Sequence, residues 1–276
     1  MSEKGLKSSL IVAVCVLMVS FCLAPFAYMV VISLSRNADF LCAQSAFEFT
    51  ADNYRGILAT RSLHFLDYLV NSLVVCAFSA VITVFIASMA AYALTRMAFP
   101  GKTIVLLFIL AVSMFPQISI VGYLYRFMEG LGWINTYRGL ILPYVAWTLP
   151  LTLWIMVSYF AQIPKELDSA ALVDGCSRWQ ALWKVTLPVA APGLVCAGLL
   201  AFIFAFNEFM FAAILTVDYR SRTIPVGIAL FQGLHGELPW GTIMAASAFA
   251  VVPMVLLALL FQGRIVQGLT RGALKG

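Results

Sequence analysis

Residues 164–193 read PKELDSAALVDGCSRWQALWKVTLPVAAPG and lie between two long apolar segments, at roughly 139–161 and 189–215. The stretch is rich in charges, and Pro and Gly interrupt it. A very apolar chain rarely builds such a segment on one side of a membrane unless another molecule docks there. The stretch therefore predicts that the two flanking apolar segments cross a membrane and that the stretch itself binds another protein.

The composition of the whole chain supports a membrane protein. Of its 276 residues 63% are hydrophobic and only 11% are charged, whereas soluble domains carry roughly 45–50% apolar and about 25% charged residues. Too few charges are present to cover a soluble globule of this size. The net charge of +5 predicts no nucleic-acid partner, because an excess of basic residues on one side is what orients membrane helices.

Six apolar segments are each long enough to cross the hydrocarbon layer as a helix, which takes about 20 residues. Such segments must be helical because lipid cannot satisfy backbone groups, and the short alternating segments of a membrane barrel are missing. The sequence predicts an all-α integral membrane protein, a single domain over 1–276, with a loop at 162–188. The six predicted spans are 10–34, 68–94, 103–125, 139–161, 189–215 and 241–263.

The basic residues predict that both termini are cytoplasmic. With the N-terminus inside, no lysine falls in an outer loop; the inner ones are Lys4, Lys7, Lys102, Lys165, Lys184 and Lys275. Inner loops are enriched in Lys and Arg. The first apolar run exceeds the 7–15 residues of a signal-peptide core, so we interpret it as a retained helix.

The loop itself predicts two short helices. Pro164 suits a first turn, and Gly175 suits the left-handed position that ends a helix. A second helix is predicted after Ser177 as N-cap, with Trp179 and Trp183 on one face at the membrane interface.

Three stretches carry a resemblance to a known family: Ser-Ala-Ala-Leu-Val-Asp-Gly at 169–175 followed by Leu187-Pro188, Asp-Asn-Tyr at 52–54, and the tail from Gly268 to Gly276. The first resembles the "EAA" loop of ABC-importer permeases. The tail is similar to that of the smaller permease subunits of maltose- and trehalose-type importers. The resemblance covers nearly the whole chain.

This resemblance implies the ABC type I importer permease fold and a coupling helix at 164–175 that docks into an ATPase subunit. The chain departs from the family at Ser169, where the usual residue is Glu. Glu166 or Asp168 are the acids that can substitute, although an offset along the helix turns a side chain to another face. The ATPase-coupling residues implied are Glu166, Asp168, Ser169, Ala170, Ala171, Asp174, Gly175, Arg271, Lys275 and Gly276.

The same resemblance implies transport of a di- or oligosaccharide such as maltose or trehalose across a bacterial or archaeal cytoplasmic (inner) membrane. The implied partners are a second, different permease, an ATPase dimer and an extracytoplasmic sugar-binding protein. No cofactor is expected in this chain, since ATP and Mg belong to the ATPase subunits. A permease for another solute, such as a polyol or glycerol phosphate, is the alternative.

Glu208 is the only Asp, Glu, Lys or Arg inside a predicted span. A charge at mid-membrane is costly and should face the bundle interior or a cavity, so Asn207, Glu208 and Phe206 are candidate translocation-path residues. The alternative is that Glu208 extends to the outer interface. Aromatic rings such as Trp147 and Phe202 can stack on sugars, although packing is the more common role of such residues.

The sequence lacks the motifs of an enzyme. There is no His-Glu-x-x-His, no Gly-x-Ser-x-Gly and no phosphate-binding Gly-x-x-x-x-Gly-Lys-Ser/Thr, so we predict a transport subunit that neither hydrolyses ATP nor holds a catalytic metal. A secondary transporter would carry several intramembrane ionisable groups and internal repeats, and a membrane-embedded enzyme would need catalytic groups. Both are disfavoured.

Overall fold

The computed structural model describes residues 3–36, 48–60, 63–231 and 238–273. These ranges are helical apart from loops and one isolated β-bridge, between Ser35 and Phe49. The helices in chain order are α1 Glu3–Ser33, α2 Asp52–Ala59, α3 Phe65–Arg96, α4 Lys102–Ser113, α5 Gln117–Gly130, α6 Tyr137–Phe160, α7 Lys165–Val173, α8 Arg178–Ala181, α9 Leu187–Val189, α10 Ala191–Phe206, α11 Met210–Leu215, α12 Ile224–Ala229 and α13 Trp240–Ala273. A π-helical turn, Leu182–Thr186, joins α8 to α9.

Four helices in the described ranges are long and apolar enough to cross a membrane without a break: α1 from Lys7, α3, α6 and α13 up to Gly263. Two bent pairs can each supply one more span. The helix α4 meets α5 at 90°, and the segment Arg178–Val189 meets α10 at 82°. The spans therefore number four to six, and six matches the sequence prediction only if each bent pair is one span.

The third predicted span, 103–125, differs from the continuous helix expected. It breaks between Ser113 and Gln117, where Pro116 takes the extended conformation φ −66°, ψ 129° as the N-cap of α5. Pro lacks an N–H and disfavours a helical residue before it, which ends α4 at this point.

The fifth predicted span, 189–215, also differs from one helix. The helix α10 ends at Phe206 and α11 begins at Met210. At 1.5 Å per residue the 16 residues of α10 extend about 24 Å, less than the ~30 Å hydrocarbon layer. The break at 207–209 is therefore expected within the hydrocarbon layer, where irregular backbone has to be buried or line a cavity.

The chain forms two compact units, one of Met1–Leu66 with Ile228–Val252 and one of Asp67–Gly227 with Pro253–Gly276. The single domain expected from the sequence stays a prediction. In the first unit α2 docks on the end of α1. The Asn53 side-chain amide donates to the carbonyl oxygens of Ser33 (2.9 Å) and Ser35 (3.0 Å), and the Ser33 and Tyr54 hydroxyls lie 2.7 Å apart.

The second unit holds two buried apolar clusters. One surrounds Tyr144 and includes Val75 and Phe211. The other surrounds Phe160 and includes Leu153 and Leu182. The second cluster packs α3, α6 and α10 under the charged loop, so the loop rests on a closely packed base.

A polar network orders the loop after α11. The side-chain oxygen of Asn135 accepts hydrogen bonds from the N–H groups of Val217 (3.0 Å) and Asp218 (3.2 Å) and from the Ser221 hydroxyl (2.8 Å). Its amide donates to the Asp218 carboxylate at 2.9 Å. That bond, with the N–H of Arg220 as a further donor, holds the pKa of Asp218 below its ordinary value.

Asn135→Ala should therefore loosen this loop. Losing an intramolecular hydrogen bond typically costs about 0.5–1.5 kcal/mol, so we expect the amides of Val217 and Asp218 to exchange with solvent roughly 3–10-fold faster. Hydrogen exchange followed by mass spectrometry measures this. Arg138→Ala, an exposed side chain in the first turn of α6, is the control, and equal exchange in both variants would contradict the role of Asn135.

The lowered pKa of Asp218 gives the same loop a pH dependence. A carboxyl group whose folded pKa is depressed stabilises the fold above its ordinary pKa, and this contribution is lost as the pH falls through the folded value. We expect exchange at Asp218 and Arg220 to accelerate at pH values below the ordinary range of aspartate, beyond the intrinsic pH effect. Asn135→Ala should reduce that acceleration, and an unaltered pH profile would contradict it.

Candidate functional site: the charged loop and the intramembrane cavity

The helix α7 begins and ends where the sequence predicts. Pro164 occupies its N-cap position and Gly175 has φ +86°. The N–H of Gly175 donates to the Leu172 carbonyl (3.1 Å), and the N–H of Cys176 donates to the Ala171 carbonyl (2.9 Å). These two bonds form a Schellman motif, which requires a left-handed residue at the position of Gly175.

The second predicted helix is also confirmed, with one difference. The Ser177 hydroxyl accepts from the N–H of Gln180 (3.2 Å) while the Gln180 side chain accepts from the N–H of Ser177 (2.8 Å). This capping box satisfies two N-terminal donors reciprocally. The difference is the wider π-helical turn Leu182–Thr186 that follows and continues directly into α9, which contains Pro188. The indole rings of Trp179 and Trp183 pack edge to face at 5.7 Å.

The loop is fixed to α3 by a buried ion pair. Nε of Arg96, the last residue of α3, donates to Oδ2 of Asp168 at 2.7 Å, and the two side chains are only 5% and 9% exposed. The other carboxylate oxygen accepts from the Thr186 hydroxyl at 2.7 Å. Nη2 of Arg96 donates to the Ile163 carbonyl at 2.9 Å. Both carboxylate oxygens of Asp168 thus have partners within the chain.

The structure divides the predicted coupling residues into two groups. Glu166, Ser169, Ala170, Asp174 and Gly175 lie on the exposed surface of the loop, whereas Asp168 and Ala171 are buried. The exposed group continues into apolar side chains, with Leu172 41% and Val173 88% exposed.

Two features change the assignments made from sequence. Asp168 cannot replace the missing acid of Ser169 without breaking its bonds to Arg96 and Thr186, so Glu166 is the acid that remains exposed in this turn. The Ser169 hydroxyl donates to the Lys165 carbonyl at 3.2 Å, one turn back in the same helix. Of the coupling residues predicted in the C-terminal tail, Arg271 belongs to α13, and Lys275 and Gly276 lie outside the described residues.

A cavity of about 490 Å³ lies at the two helix breaks in the second unit. Gln117 comes from the start of α5, Trp147 from α6, and Asn207 and Glu208 from the break after α10. The remaining lining is apolar. Polar groups and one indole ring therefore meet at a point where two helices are discontinuous, an arrangement that membrane transporters use for solute sites.

Glu208 is buried at 6% exposure and does not extend to the interface. Its two carboxylate oxygens accept from the N–H groups of Phe211 (2.8 Å) and Ala212 (3.2 Å), so the side chain caps α11. Asn207 is exposed in the cavity and donates to the Ile203 carbonyl at 2.8 Å. Phe206 instead stacks on Phe202 in the apolar core, with ring centroids 5.8 Å apart, and does not line this cavity.

Sequence reasoning missed the partners of these residues. Arg96, Thr186 and Gln117 carried no functional assignment. A signal for Arg96 existed, because it ends a long apolar helix and therefore has to be neutralised or hydrated. No sequence pattern pointed to Thr186 or Gln117.

Comparison with protein families places most of these features inside one conserved type of domain. Residues 83–271 match the model described as "Binding-protein-dependent transport system inner membrane component". The match contains the second part of α3 from Thr83, all of α4 to α12 and most of α13, and therefore both regions described above.

Two relatives are similar over most or all of the chain. The trehalose/maltose transport system permease protein MalG of Thermococcus litoralis is 52% identical over 277 residues, covering 100% of both chains. The sulfoquinovosyl glycerol transport system permease protein SmoH of Agrobacterium fabrum is 41% identical over 227 residues, covering 82% of this chain and 79% of the relative.

One solved structure has the same fold at low sequence identity. A chain in the crystal structure of a bacterial ABC transporter involved in the import of the acidic polysaccharide alginate superposes with a TM-score of 0.78 at 20% identity. The match covers 95% of this chain and 98% of the other. This likeness confirms the fold class that the sequence predicted.

Proposed function

Since the chain belongs to the family of binding-protein-dependent transport system inner membrane components, we propose that it is the permease subunit of an ATP-driven importer of di- or oligosaccharides. The family makes it a multi-pass membrane transport component and not an enzyme. The observation that carries the rest of the proposal is α7: a nine-residue helix, fixed at its base, that presents small and apolar side chains outward.

In the proposed importer α7 docks into a cleft of an ATPase subunit. Ala170 keeps the exposed surface slim, and Leu172 and Val173 supply apolar area that gains free energy when it is buried, roughly 25 cal/mol per Å². Glu166 is the exposed acid for a basic residue on the ATPase. Arg271, Lys275 and Gly276 in the tail form a second contact with the same subunit.

ATP and Mg²⁺ belong to the ATPase dimer in this proposal, and a second, different permease completes the translocation path. An extracytoplasmic binding protein delivers the sugar. Both termini and α7 face the cytoplasm. Closure of the ATPase dimer around ATP moves α7 and switches the bundle from inward- to outward-facing, the alternating access of transporters.

The cavity at the helix breaks is the proposed contribution of this subunit to the path. The side-chain amides of Gln117 and Asn207 offer donors and acceptors to hydroxyl groups, and Trp147 offers an aromatic ring. A sugar needs both kinds of contact. Maltose or trehalose is the proposed solute class because of the full-length likeness to a trehalose/maltose permease. The alternative is a permease for another solute, such as a polyol or glycerol phosphate; the relative named for sulfoquinovosyl glycerol supports a solute other than maltose or trehalose but neither of these two.

Purification of the intact complex tests the importer assignment. From gently solubilised membranes, we expect a tagged form of this chain to retain an ATPase and a second permease in fixed proportion. Recovery of the chain without any ATPase would overturn the proposal. Binding of maltose, trehalose and a polyol to the accompanying binding protein then identifies the solute class.

Gly175→Leu tests the docking of α7. A side chain at φ +86° is strained by about 1–2 kcal/mol, so the Schellman turn should shift and displace the exposed end of the helix. We expect sugar uptake to fall about tenfold, the equivalent of ~1.4 kcal/mol, while ATP hydrolysis continues. Uptake and hydrolysis are measured in proteoliposomes of the full complex.

Gly101→Leu is the matched control. Gly101 has φ +83° and, like Gly175, open space around its Cβ position, but it lies in the link between α3 and α4. The backbone strain is therefore similar while α7 is untouched. Equal losses of uptake in the two variants would contradict a specific role of the Gly175 turn.

A further inference from the structure

The interaction of Arg96 with Asp168 has a geometry that surface loops rarely have. The pair is almost fully buried, at 5% and 9% side-chain exposure, and the Arg96 Nε to Asp168 Oδ2 distance is 2.7 Å. By contrast, the ion pair of Arg55 with Asp52 is 3.8 Å long and 82% and 66% exposed. Only the first pair is removed from solvent, so only it can hold two elements in a defined relation.

Three segments of the chain converge on this pair. Arg96 ends α3, Asp168 lies in the first turn of α7, and Thr186, whose hydroxyl donates to Asp168, ends the turn that leads to α10. The bond from Arg96 to the Ile163 carbonyl adds the residue just before α7. The end of α3, the docking helix and the π-helical turn that α9 connects to α10 are thus joined at one carboxylate.

We propose that Arg96, Asp168 and Thr186 form a rigid joint through which movement of α7 is delivered to α3 and α10 together. The proposal rests on the importer function above and names the positioning residues that make coupling possible. Without the joint, α7 would be held only by its chain ends and by the packing of buried apolar side chains such as Ala171. A docked ATPase could then tilt α7 without moving the membrane helices.

Burial makes the joint dependent on both charges. When one member of a buried ion pair is removed, the other is left unpaired in a place that water does not reach, which is far more damaging than removing both. Asp168→Asn keeps the shape and an acceptor for Thr186 but leaves Arg96 unpaired. Arg96→Met keeps most of the apolar stem and leaves Asp168 unpaired. The double variant has no buried charge.

The test compares these variants in the complete importer, reconstituted in liposomes with its binding protein and radiolabelled maltose or trehalose. For each variant we measure the amount of ATPase that co-purifies with the chain, and the sugar molecules transported per ATP hydrolysed by the assembled complex. We expect Asp168→Asn and Arg96→Met to retain the ATPase but to transport at least fivefold less sugar per ATP. The double variant should recover thermal stability but not coupling, because it removes the unpaired charge without restoring the joint.

Two results would overturn the joint while leaving the importer assignment intact. One is less assembled complex with an unchanged ratio of sugar to ATP, which would make the ion pair a purely structural contact. The other is a wild-type ratio and wild-type assembly in both single variants. A wild-type chain that binds no ATPase would instead overturn the importer assignment, and this inference with it.

A matched control and a second readout sharpen the result. Asp52→Asn and Arg55→Met apply the same chemical changes to the exposed pair, and we expect both to transport as much sugar per ATP as the wild type.

Hydrogen exchange of the α7 amides in the same complexes measures directly how firmly the joint holds α7, and we expect faster exchange in Asp168→Asn than in the wild type. Faster exchange together with an unchanged ratio would show that α7 is held by the pair but does not work through it, which contradicts the proposal.

Discussion

Glu208→Ala should lower sugar uptake at least tenfold and reduce the thermal stability of the purified chain. Glu208 supplies the acceptors for two buried N–H groups, those of Phe211 and Ala212. Leaving a buried donor unsatisfied costs about 1–3 kcal/mol, and Phe211 and Ala212 are only 2% and 0% exposed, so water in the cavity does not reach their N–H groups. The helix α11 should therefore fray at its first turn, beside the cavity that we assign to the translocation path.

The variant Glu208→Gln removes the charge but keeps half of the cap. Its single carbonyl oxygen retains the shorter bond, to Phe211, and its amide loses the one to Ala212. We expect a midpoint of thermal unfolding between those of the wild type and Glu208→Ala, measured in detergent, with uptake measured in proteoliposomes. Glu129→Ala, an exposed acid near the end of α5, should behave as the wild type. Normal uptake together with a normal melting midpoint in Glu208→Gln would contradict any role of the Glu208 charge.

Gly193→Ala should have the second largest effect, because α6 and α10 touch there without room for a methyl group. A Cβ at Gly193 would lie 2.4–2.7 Å from three atoms of the Tyr159 ring. These are ring atoms next to the Tyr159 backbone and cannot move aside easily. Overpacking of this kind typically costs about 1–3 kcal/mol, so we expect a clearly lower melting midpoint and less folded chain in the membrane.

Gly198→Ala supplies the control on the same helix. Its Cβ would lie 3.4 Å from one methyl group of Val84, close to ordinary van der Waals contact, and both substitutions raise intrinsic helix propensity equally. The difference between the two variants thus isolates the contact with Tyr159. Melting midpoints that agree within error would show that α6 and α10 can separate at no cost, contrary to our expectation.

The features that the sequence predicted well are those set by local chemistry. Pro164, Gly175 and Ser177 start or stop helices through their own backbone and side-chain preferences, and each does so in the structure. The length and composition of the apolar segments are likewise enough to predict membrane helices. The tail beyond Ala273 lies outside the described residues, so its predicted role stays a prediction.

Features that depend on partners distant in sequence could not be predicted. Glu208 was recognised as unusual, but its role as a cap depends on a helix break three residues long that apolar composition conceals. Asp168 was assigned to the ATPase contact because the family pattern has an acid in this turn. In the structure the ion pair with Arg96 holds its side chain in the interior of the loop. The break at Pro116 was equally hidden, because Pro is tolerated inside many membrane helices and its presence alone does not end one.

The joint at Asp168 also constrains the order in which the chain is completed. Arg96 and Asp168 are 72 residues apart, and synthesis at about 5–20 residues per second leaves Arg96 without its partner for several seconds. During that interval the guanidinium has to remain among lipid headgroups and water, which keeps the end of α3 at the membrane surface. The ion pair can be buried only after α7 has emerged and the turn carrying Thr186 has followed. The base of α7 is thus completed only after α4, α5 and α6 have been made, and an insertion error in any of them would leave Arg96 as an uncompensated cation in the misfolded chain.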